Sequence, residues 1–583
     1  MLDPRIYRAG FLPILFALVL AGFSLREPPR PLTTSLAPDA FDGAAAFAQL
    51  DALATAAPSR RPGSAGDRLV AQRVGEALRA NGFRVGLRST AAQTADGNRD
   101  LTTVVGQRAG FSNHRIVVIA HRDALGRGAR AELSGTAALL ELARVLGGRT
   151  LQRTLVLAST SGGTAGLAAA AQLAARHGGP VDAVLVLGDL AGRRTDRPFV
   201  VPWSSSTAIA PLQLRRTVEG AVTSETGMRP GGITPAVQLA RLAFPLTLGE
   251  QGPFDAQGIG AVLLSASGER APAADAPVSS AQLTAFGRAA LRSVTALDGG
   301  ADLPGSGPYI VLEDQLLPAW SVRLLALALM LPVLLAAVDA FARVRRRRER
   351  VGMWLRWVAA AAAPFLLAAL TVLALYGIGL VDAAPSTPVA GAASAPNVAV
   401  LGTVLLVLVA AWTWLRPWLA RLTGARGDCA TGGSAAAIVV VLCVVALLVW
   451  LVNPYASLLL IPALHLWLLV MAPETRLRRP AALALWTVGL LPPLLVAYAY
   501  ARQLGLDPLE LAWMGTLLVA GGGMSPFAVV VWSVALACTG CALAVVLRTS
   551  SGALEEATPI TMRGPKSYAG PGSLGGTESA LRR

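Results

Sequence analysis

The sequence contains little charge for its length. Only 15% of its 583 residues are Asp, Glu, Lys or Arg, whereas 54% are hydrophobic. Soluble domains carry about 25% charged residues, so part of this chain is expected to lie in lipid. The length also exceeds what one hydrophobic core supports, which predicts at least two structural units.

Cysteine is scarce and is confined to the second half of the chain, at Cys429, Cys443, Cys538 and Cys541. The first half therefore contains no disulfide. Cys538 and Cys541 have a CxxC spacing, but they lie in an apolar stretch without further His or Cys ligands. We interpret them as small apolar helix residues and not as a zinc or redox pair.

Lysine is almost absent, since Lys566 is the only one, and the net charge of +16 comes from arginine. The arginines cluster at the ends of apolar segments, as in the block of residues 345–348. Membrane proteins place such clusters on the cytoplasmic side of their spans. This pattern explains the basic balance without a nucleic-acid partner, which we exclude.

The chain divides into four regions by composition. Residues 1–30 contain an apolar run at 9–25, preceded by Arg5 and Arg8 and followed by a Pro-rich linker. This pattern is typical of a transmembrane anchor or a signal segment. Residues 31–317 form a soluble unit, residues 318–548 a membrane bundle, and residues 549–583 a polar tail that we expect to be disordered.

The soluble unit alternates short β-branched runs with amphipathic helical runs, which predicts an α/β domain. Its sheet is expected to be largely parallel, with helices on both faces. The predicted strands cover residues 83–87, 101–105, 115–120, 154–158, 183–187 and 261–265. The predicted helices cover residues 41–56, 64–81, 134–146, 166–177, 206–222 and 280–297.

After Pro318 the apolar segments become long enough to cross a bilayer. We predict an all-α bundle of about seven spans, with a break at Pro492-Pro493 and a short re-entrant or interfacial segment at 511–523. The charge pattern predicts that both termini are cytoplasmic and that the soluble domain is outside. The predicted spans are residues 320–341, 353–380, 398–415, 435–452, 457–472, 481–500 and 526–547.

Chemistry is expected where the predicted strand at 115–120 ends. His121 follows that strand, Asp123 comes two residues later, and a Gly-containing loop then leads into a helix. Residues just beyond the carboxyl end of a strand face the binding crevice of an α/β sheet. A His and a carboxylate there suit a metal site, although a lone His at a strand end is more often structural.

The soluble domain resembles peptidase family M28, the co-catalytic zinc aminopeptidases, over much of its length. The similarity implies the family's mixed, mostly parallel sheet and a catalytic crevice at the carboxyl ends of its strands. The pieces that carry it are Arg61-Pro62-Gly63-Ser64, Asn81-Gly82-Phe83, His121-Arg122-Asp123, Ser134-Gly135-Thr136, Gly166-Leu167, Gly188-Asp189-Leu190 and Pro253-Phe254.

The departures from that family concern its metal ligands. The resemblance implies two zinc ions held by a bridging Asp, two His, an Asp and a Glu, with a second Glu as general base. The bridging Asp corresponds to Ala131, and the last His corresponds to Gln251. The paired glutamates correspond to Gly163 and Thr164.

Few ligands remain once these positions are lost. The resemblance leaves His121 and Asp189 as vestigial metal ligands, with Asp123 as the vestigial residue that would orient the histidine. Glu132 and Glu250 are the nearby carboxylates that could substitute for lost ligands. No Ser/His/Asp set is apparent, because Ser134 lacks the GxSxG context and His114 and His177 are expected at the surface.

The leading hypothesis is a membrane-anchored pseudo-peptidase without a cofactor, which binds or scaffolds a peptide or a membrane-protein partner. The first alternative is an active zinc exopeptidase with relocated ligands. The second is a transporter with an accessory domain, although His465 is the only clearly intramembrane ionisable group and a structural role suits it better.

Overall fold

A computed structural model describes most of the chain. The described residues are 4–34, 38–94, 96–163, 167–192, 199–231, 233–347, 351–381, 395–422, 424, 432–472, 475 and 477–549. Thr164, Cys429 and residues 550–583, for which the sequence predicts disorder, lie outside these ranges.

The soluble domain contains a seven-stranded sheet in the order β1-β2-β4-β3-β5-β7-β6. The four strands β4, β3, β5 and β7 are parallel, whereas β1, β2 and β6 join antiparallel. The prediction of a mixed, mostly parallel sheet is therefore confirmed. The strands are β1 (Arg84–Thr94), β2 (Gly97–Arg108), β3 (Ser112–His121), β4 (Arg153–Thr160), β5 (Val181–Leu187), β6 (Val200–Val201) and β7 (Ala261–Leu264).

Helices cover both faces of this sheet because its central strands are apolar on both sides. In β3, Val118 and Ala120 pack into one core, and Val117 and Ile119 pack into another. The helices before the bundle are α1 (Pro4–Ala9), α2 (Phe11–Phe23), α3 (Gly43–Ala56), α4 (Ala65–Ala80), α5 (Arg130–Gly147), α6 (Ala168–Ala175), α7 (Leu212–Thr226), α8 (Pro235–Ala243), α9 (Gly252–Ala256) and α10 (Ser280–Gly299).

Side-chain caps fix where several of these helices begin. The Ser64 hydroxyl accepts a hydrogen bond from the Asp67 amide at the start of α4, and Asp42 caps α3 in the same way. Such caps satisfy amide groups that have no partner within the helix. Helix α7 begins at Leu212, later than the predicted residue 206, directly after Pro211.

A bundle of long apolar helices follows the short hairpin of β8 (Tyr309–Leu312) and β9 (Gln315–Pro318). Six helical segments in the described part are long and apolar enough to cross a membrane, or seven if a pair bent by 46° counts as one. The bundle helices are α11 (Ala319–Arg346), α12 (Val351–Gly377), α13 (Val398–Ala410), α14 (Arg416–Leu422), α15 (Gly432–Val452), α16 (Pro454–Leu458), α17 (Ile461–Met471), α18 (Arg479–Gly489), α19 (Leu491–Leu504), α20 (Pro508–Ala520) and α21 (Pro526–Thr549).

Breaks in the bundle lie near the expected positions. The 46° bend separates α18 from α19, next to Pro492 and Pro493. Helix α20 is one of two shorter apolar helices, and it overlaps the segment for which the sequence predicts a re-entrant or interfacial role. Cys443, Cys538 and Cys541 are buried within the bundle and form no disulfide in the part of the chain that the structure describes.

One hydrophobic core joins the soluble domain to the bundle. Phe254 and Trp203 of the soluble domain belong to the same buried cluster as Tyr455, Tyr500 and Leu504 of the bundle. The ring centroids of Phe244 and Trp532 lie 5.1 Å apart across this boundary. The sequence did not predict α8, which provides part of this contact.

Candidate functional site

The carboxyl edge of the parallel strands collects the site residues predicted from the sequence. His121 is the last residue of β3, and Asp189 follows two residues after the end of β5. Ala131 and Glu132 lie in the first turn of α5, and Gln251 lies directly before α9. The alternation of strands and helices therefore brings these separate segments to one crevice, as expected for parallel strands.

His121 lies directly against Gly163. A Cβ atom added at Gly163 would be only 2.6 Å from the His121 Cβ and 2.8 Å from its Cγ. Contacts this short force a neighbour to move, and here that neighbour is the base of the imidazole side chain. The position that corresponds to a family glutamate therefore has no space for a side chain in this arrangement.

Asp123 is fully buried beside the same segment. Its Oδ1 accepts a hydrogen bond of 3.1 Å from the Gly163 amide. This bond helps to hold the glycine segment against His121. The carboxylate for which the sequence predicts an orienting role thus contacts the backbone at a substituted position.

Asp189 is held by a ring of donors and is almost completely buried. Its Oδ1 accepts hydrogen bonds from the amides of Ala191 at 3.0 Å and Gly192 at 2.7 Å, and from the Ser134 hydroxyl at 3.3 Å. Its Oδ2 has no hydrogen-bond partner among the described residues. Burial raises the pKa of this carboxyl, while the two amides oppose that effect.

Gln251 and Ala131 are buried residues whose hydrogen bonds are made within the protein. The Gln251 amide nitrogen donates to the carbonyl oxygen of Trp203 at 3.0 Å and to the Thr247 hydroxyl at 2.9 Å. Ala131 is buried, and its carbonyl oxygen accepts a hydrogen bond from Ser134. Neither side chain offers the carboxylate or imidazole donor that zinc prefers.

Glu132 and Glu250 both interact electrostatically with His121. Burial raises the pKa of Glu132 to about 7, and the nearby His121 is the largest influence that opposes this rise. Burial also raises the pKa of Glu250, again opposed first by His121. In the sequence, these were the two carboxylates that could substitute for lost metal ligands, and the structure brings them to the crevice.

Several oxygens of these two side chains have no hydrogen bond. In the described part of the chain, Glu132 Oε2 and both oxygens of Glu250 lack partners, and so does His121 Nε2. The buried Thr160 hydroxyl also has no hydrogen-bond partner among the described residues. Buried polar atoms without partners are uncommon, and they mark this crevice as a site.

The crevice nevertheless lacks a preformed metal cage. Zinc–ligand distances are about 2.0–2.3 Å, so the ligands of one ion must lie close together. Among His121, Asp123, Glu132, Asp189 and Glu250, no three residues place one ligand atom each within 4.8 Å of one another. The arrangement therefore does not fit the two bridged zinc ions of the family.

Two buried arginines lie beneath the crevice, and the sequence did not single them out. Arg122 forms a 2.8 Å ion pair with Asp67, and both side chains are fully buried. Arg60 donates to the carbonyl oxygens of Ala57 at 2.9 Å and Ala129 at 2.5 Å. Arg60 also interacts electrostatically with Glu132, so it offsets part of the crevice's negative charge.

A separate cluster lies at the opposite edge of the sheet. His114, Asp182 and Asp302 each place one ligand atom within 4.8 Å of the others. Arg153 fills this cluster, because its guanidinium lies 2.5 Å from Asp182 Oδ2 and 2.8 Å from Asp302 Oδ1. The cluster is therefore an ion-pair network, and its carboxylates are already neutralised.

Comparison with known proteins agrees with the resemblance that the sequence predicts. Residues 103–224 match the model of "Peptidase family M28". This stretch extends from β2 into α7 and includes His121 and Asp189, but it ends before Gln251. No curated protein matches the chain.

Solved structures of similar architecture include aminopeptidases and glutaminyl cyclases. A zinc aminopeptidase from Bacillus subtilis is 11% identical, with a TM-score of 0.36, and the match covers 44% of this chain and 94% of that one. A Porphyromonas gingivalis glutaminyl cyclase is 16% identical, with a TM-score of 0.35 and coverage of 44% and 99%. The LapA aminopeptidase of Legionella pneumophila is 15% identical, with a TM-score of 0.35 and coverage of 46% and 74%.

Proposed function

We propose that this M28-like chain is a membrane-anchored pseudo-peptidase whose crevice binds a partner without hydrolysing it. The observation that carries the proposal is the contact of His121 with Gly163. An added Cβ would lie 2.6 Å from the His121 Cβ, so the histidine occupies the space that a glutamate would need. The crevice has thus been repacked around the substitution.

The chemistry of the remaining residues supports the same conclusion. A general base typically contributes about 10²–10⁴-fold to a hydrolytic rate, and Gly163 carries no base. In a two-metal site, the ions together stabilise the attacking and leaving groups. The methyl group of Ala131 cannot bridge two ions, and the Gln251 amide is already bound to Trp203 and Thr247.

The role that remains is binding or scaffolding. The crevice retains buried carboxylates in Asp123, Glu132, Asp189 and Glu250, which favour a peptide or a membrane-protein partner with cationic groups. The clustering of arginine on one side of the spans supports an arrangement with the soluble domain outside the cytoplasm and both termini inside. Long apolar helices support residence in a lipid bilayer.

The test uses the purified full-length chain in detergent. We expect no stoichiometric zinc after dialysis against micromolar zinc, and no release of the reporter group from aminoacyl reporter peptides. About two bound zinc ions per chain, together with turnover that a chelator abolishes, would overturn the proposal. A His121→Ala variant serves as control, because residual metal that survives this change is not bound at the crevice.

An active zinc exopeptidase with relocated ligands is a second candidate, favoured by one observation. Glu132 and Glu250 interact electrostatically with His121, and three of their oxygens are buried without partners in the described part of the chain. Under this alternative, either Glu132→Gln or Glu250→Gln abolishes zinc binding and turnover together. Under the pseudo-peptidase proposal, neither change alters a zinc content that is already absent.

A further inference from the structure

Arg241 is a buried cation at the boundary between the soluble domain and the bundle. It lies on α8 and is only 5% exposed. Its Nε donates to the side-chain oxygen of Gln503 at 2.7 Å, and its Nη1 donates to the carbonyl oxygen of Leu246 at 2.6 Å. Its Nη2 lies 3.2 Å from Glu269 Oε1, and that carboxylate is equally buried. One side chain therefore joins helix α19 to two loops of the soluble domain.

Aromatic residues enclose the same guanidinium. Its carbon lies 4.8 Å from the ring centroid of Tyr500 and 5.9 Å from that of Trp203. Cation–π contacts of this kind become stronger when the cation is removed from water. The Tyr500 hydroxyl also donates to the carbonyl oxygen of Phe244. Helix α19 thus touches the start of the loop that leads into the crevice.

That loop, residues 244–251, is here named the crevice loop because it ends at Glu250 and Gln251. Glu269 accepts hydrogen bonds from the Leu248 amide at 3.1 Å and the Thr247 hydroxyl at 3.3 Å. The Thr247 hydroxyl in turn accepts a hydrogen bond from Gln251 at 2.9 Å. A continuous chain of polar contacts therefore runs from α19 to the residue beside Glu250.

Helix α19 is placed to respond to changes in this chain of contacts. It follows the 46° bend after α18, so it packs as a segment distinct from the first half of the span. Its buried residues Tyr500 and Leu504 face the boundary, whereas Leu494 and Tyr498 are mostly exposed. A second loop reaches its end, where Arg270 donates to the carbonyl oxygen of Gly505 at 2.5 Å.

We propose that α19 and the crevice loop form one coupled unit, so that occupation of the crevice changes the packing of the bent span. The carriers are the Gln503–Arg241–Glu269–Thr247–Gln251 network and the Tyr500 hydroxyl bond to Phe244. The coupling stands whether the crevice binds a partner or hydrolyses a substrate. The coupling is reciprocal. If occupation of the crevice changes the free energy of a shift of α19, that shift changes the free energy of binding at the crevice by the same amount.

The experiment measures hydrogen exchange of the full-length chain in lipid nanodiscs. Tyr500→Phe removes the hydroxyl bond to Phe244. We expect amide exchange at Leu248 and Gly252 to become about fivefold faster, the effect of losing one net hydrogen bond. Gln503→Ala is a second variant that leaves Tyr500 unchanged and removes the side-chain oxygen that accepts from Arg241. It should accelerate the same amides. Exchange in β3 should not change, which shows that the domain remains folded.

The reverse direction uses Gln251→Ala, which removes the donor to Thr247. We expect faster exchange at the end of α19, residues 502–504, again about fivefold. Tyr498→Phe is the matched control, because Tyr498 lies on the same helix but is 63% exposed, and it should change neither region. If each variant accelerates exchange only in its own segment, the two segments are not coupled and the proposal is wrong.

Discussion

Burial raises the pKa of Glu132 to about 7, so this carboxyl changes its charge near neutral pH. The folded state therefore keeps the proton that the unfolded chain releases between pH 4.5 and 7. The stabilisation that comes from this bound proton is fully present below pH 4.5, and it is lost as the pH rises through 7. Buried carboxyl groups of this kind distinguish the crevice, because a buried carboxylate is unstable unless it is protonated, paired or bound to a cation.

The variant Glu132→Gln should be more stable than the parent at pH 8, by about 3 kcal/mol, because the amide has no proton to lose. Below pH 4.5 the two proteins should unfold alike. The measurement is the thermal midpoint of the full chain between pH 4 and pH 8.5. If Glu132→Gln is instead less stable than the parent at pH 8, and only when zinc is added, Glu132 holds a cation.

The contact between Gly163 and His121 leads to a second prediction. Gly163→Ala should destabilise the chain by about 1–3 kcal/mol, because its methyl group overlaps the base of the imidazole. In a His121→Gly background, which removes both contacting carbons of the histidine side chain, the same change should cost much less. A double-mutant cycle by denaturant unfolding measures this difference. Equal costs in both backgrounds would mean that the histidine does not fill this space.

At the scale of helices and strands, the sequence predicted some elements and missed others. The strand at Ser112–His121 was predictable because its run of buried β-branched residues ends at a polar pair. The long helices were predictable because lipid requires long apolar stretches. Helix α8 was not predicted, although Thr234 caps it and Pro235 begins it. The burial of Arg241 could not be predicted, because its partners Gln503 and Glu269 are distant in sequence.

The crevice was predictable to a similar extent. The local motif around His121 indicated the carboxyl edge, and the M28 resemblance indicated the substituted positions. The burial of Arg60 and Arg122 was not predicted, since exposed and buried arginines look alike in a sequence. Their burial depends on carbonyl oxygens and on Asp67, which only the folded chain brings together.

The N-terminal helix is attached to the bundle by specific contacts. The Tyr7 hydroxyl lies 2.7 Å from His465 Nδ1, and His465 Nε2 donates to the carbonyl oxygen of Leu329 at 2.8 Å. Both ring nitrogens of His465 are therefore used, which supports its structural role. A Cβ atom added at Gly10 would lie 2.6 Å from the Pro332 Cα, so α2 meets α11 at close range.

We therefore expect the N-terminal segment to remain on the mature chain, which intact-mass measurement of the purified protein checks directly. Tyr7→Phe should lower stability by about 0.6 kcal/mol, typical for one hydrogen bond between membrane helices. The matched control Tyr498→Phe should have no effect. A mature mass that lacks the first residues through α2 would contradict this packing.

At the scale of the whole molecule, the soluble domain and the bundle share one core. Trp203, Phe254 and Leu242 of the soluble domain belong to the same buried cluster as bundle residues Tyr455 and Leu504. Asn453 donates to the carbonyl oxygens of Leu242 and Ala243 across the boundary. The face of the domain that meets the bundle is therefore apolar, and it depends on the bundle for its burial.

A fragment of residues 31–318, which lacks both the apolar helix α2 and the bundle, should expose this apolar face and leave Arg241 and Glu269 without their cover from Tyr500. We expect such a fragment to bind the dye ANS and to self-associate, because large exposed apolar patches drive association. Light scattering and ANS fluorescence measure both effects. Replacing apolar residues of the face with charged ones, as in Phe244→Glu, should restore a monomer. A wild-type fragment that is monomeric and does not bind ANS would show that the boundary is an ordinary domain surface and that the two parts fold separately.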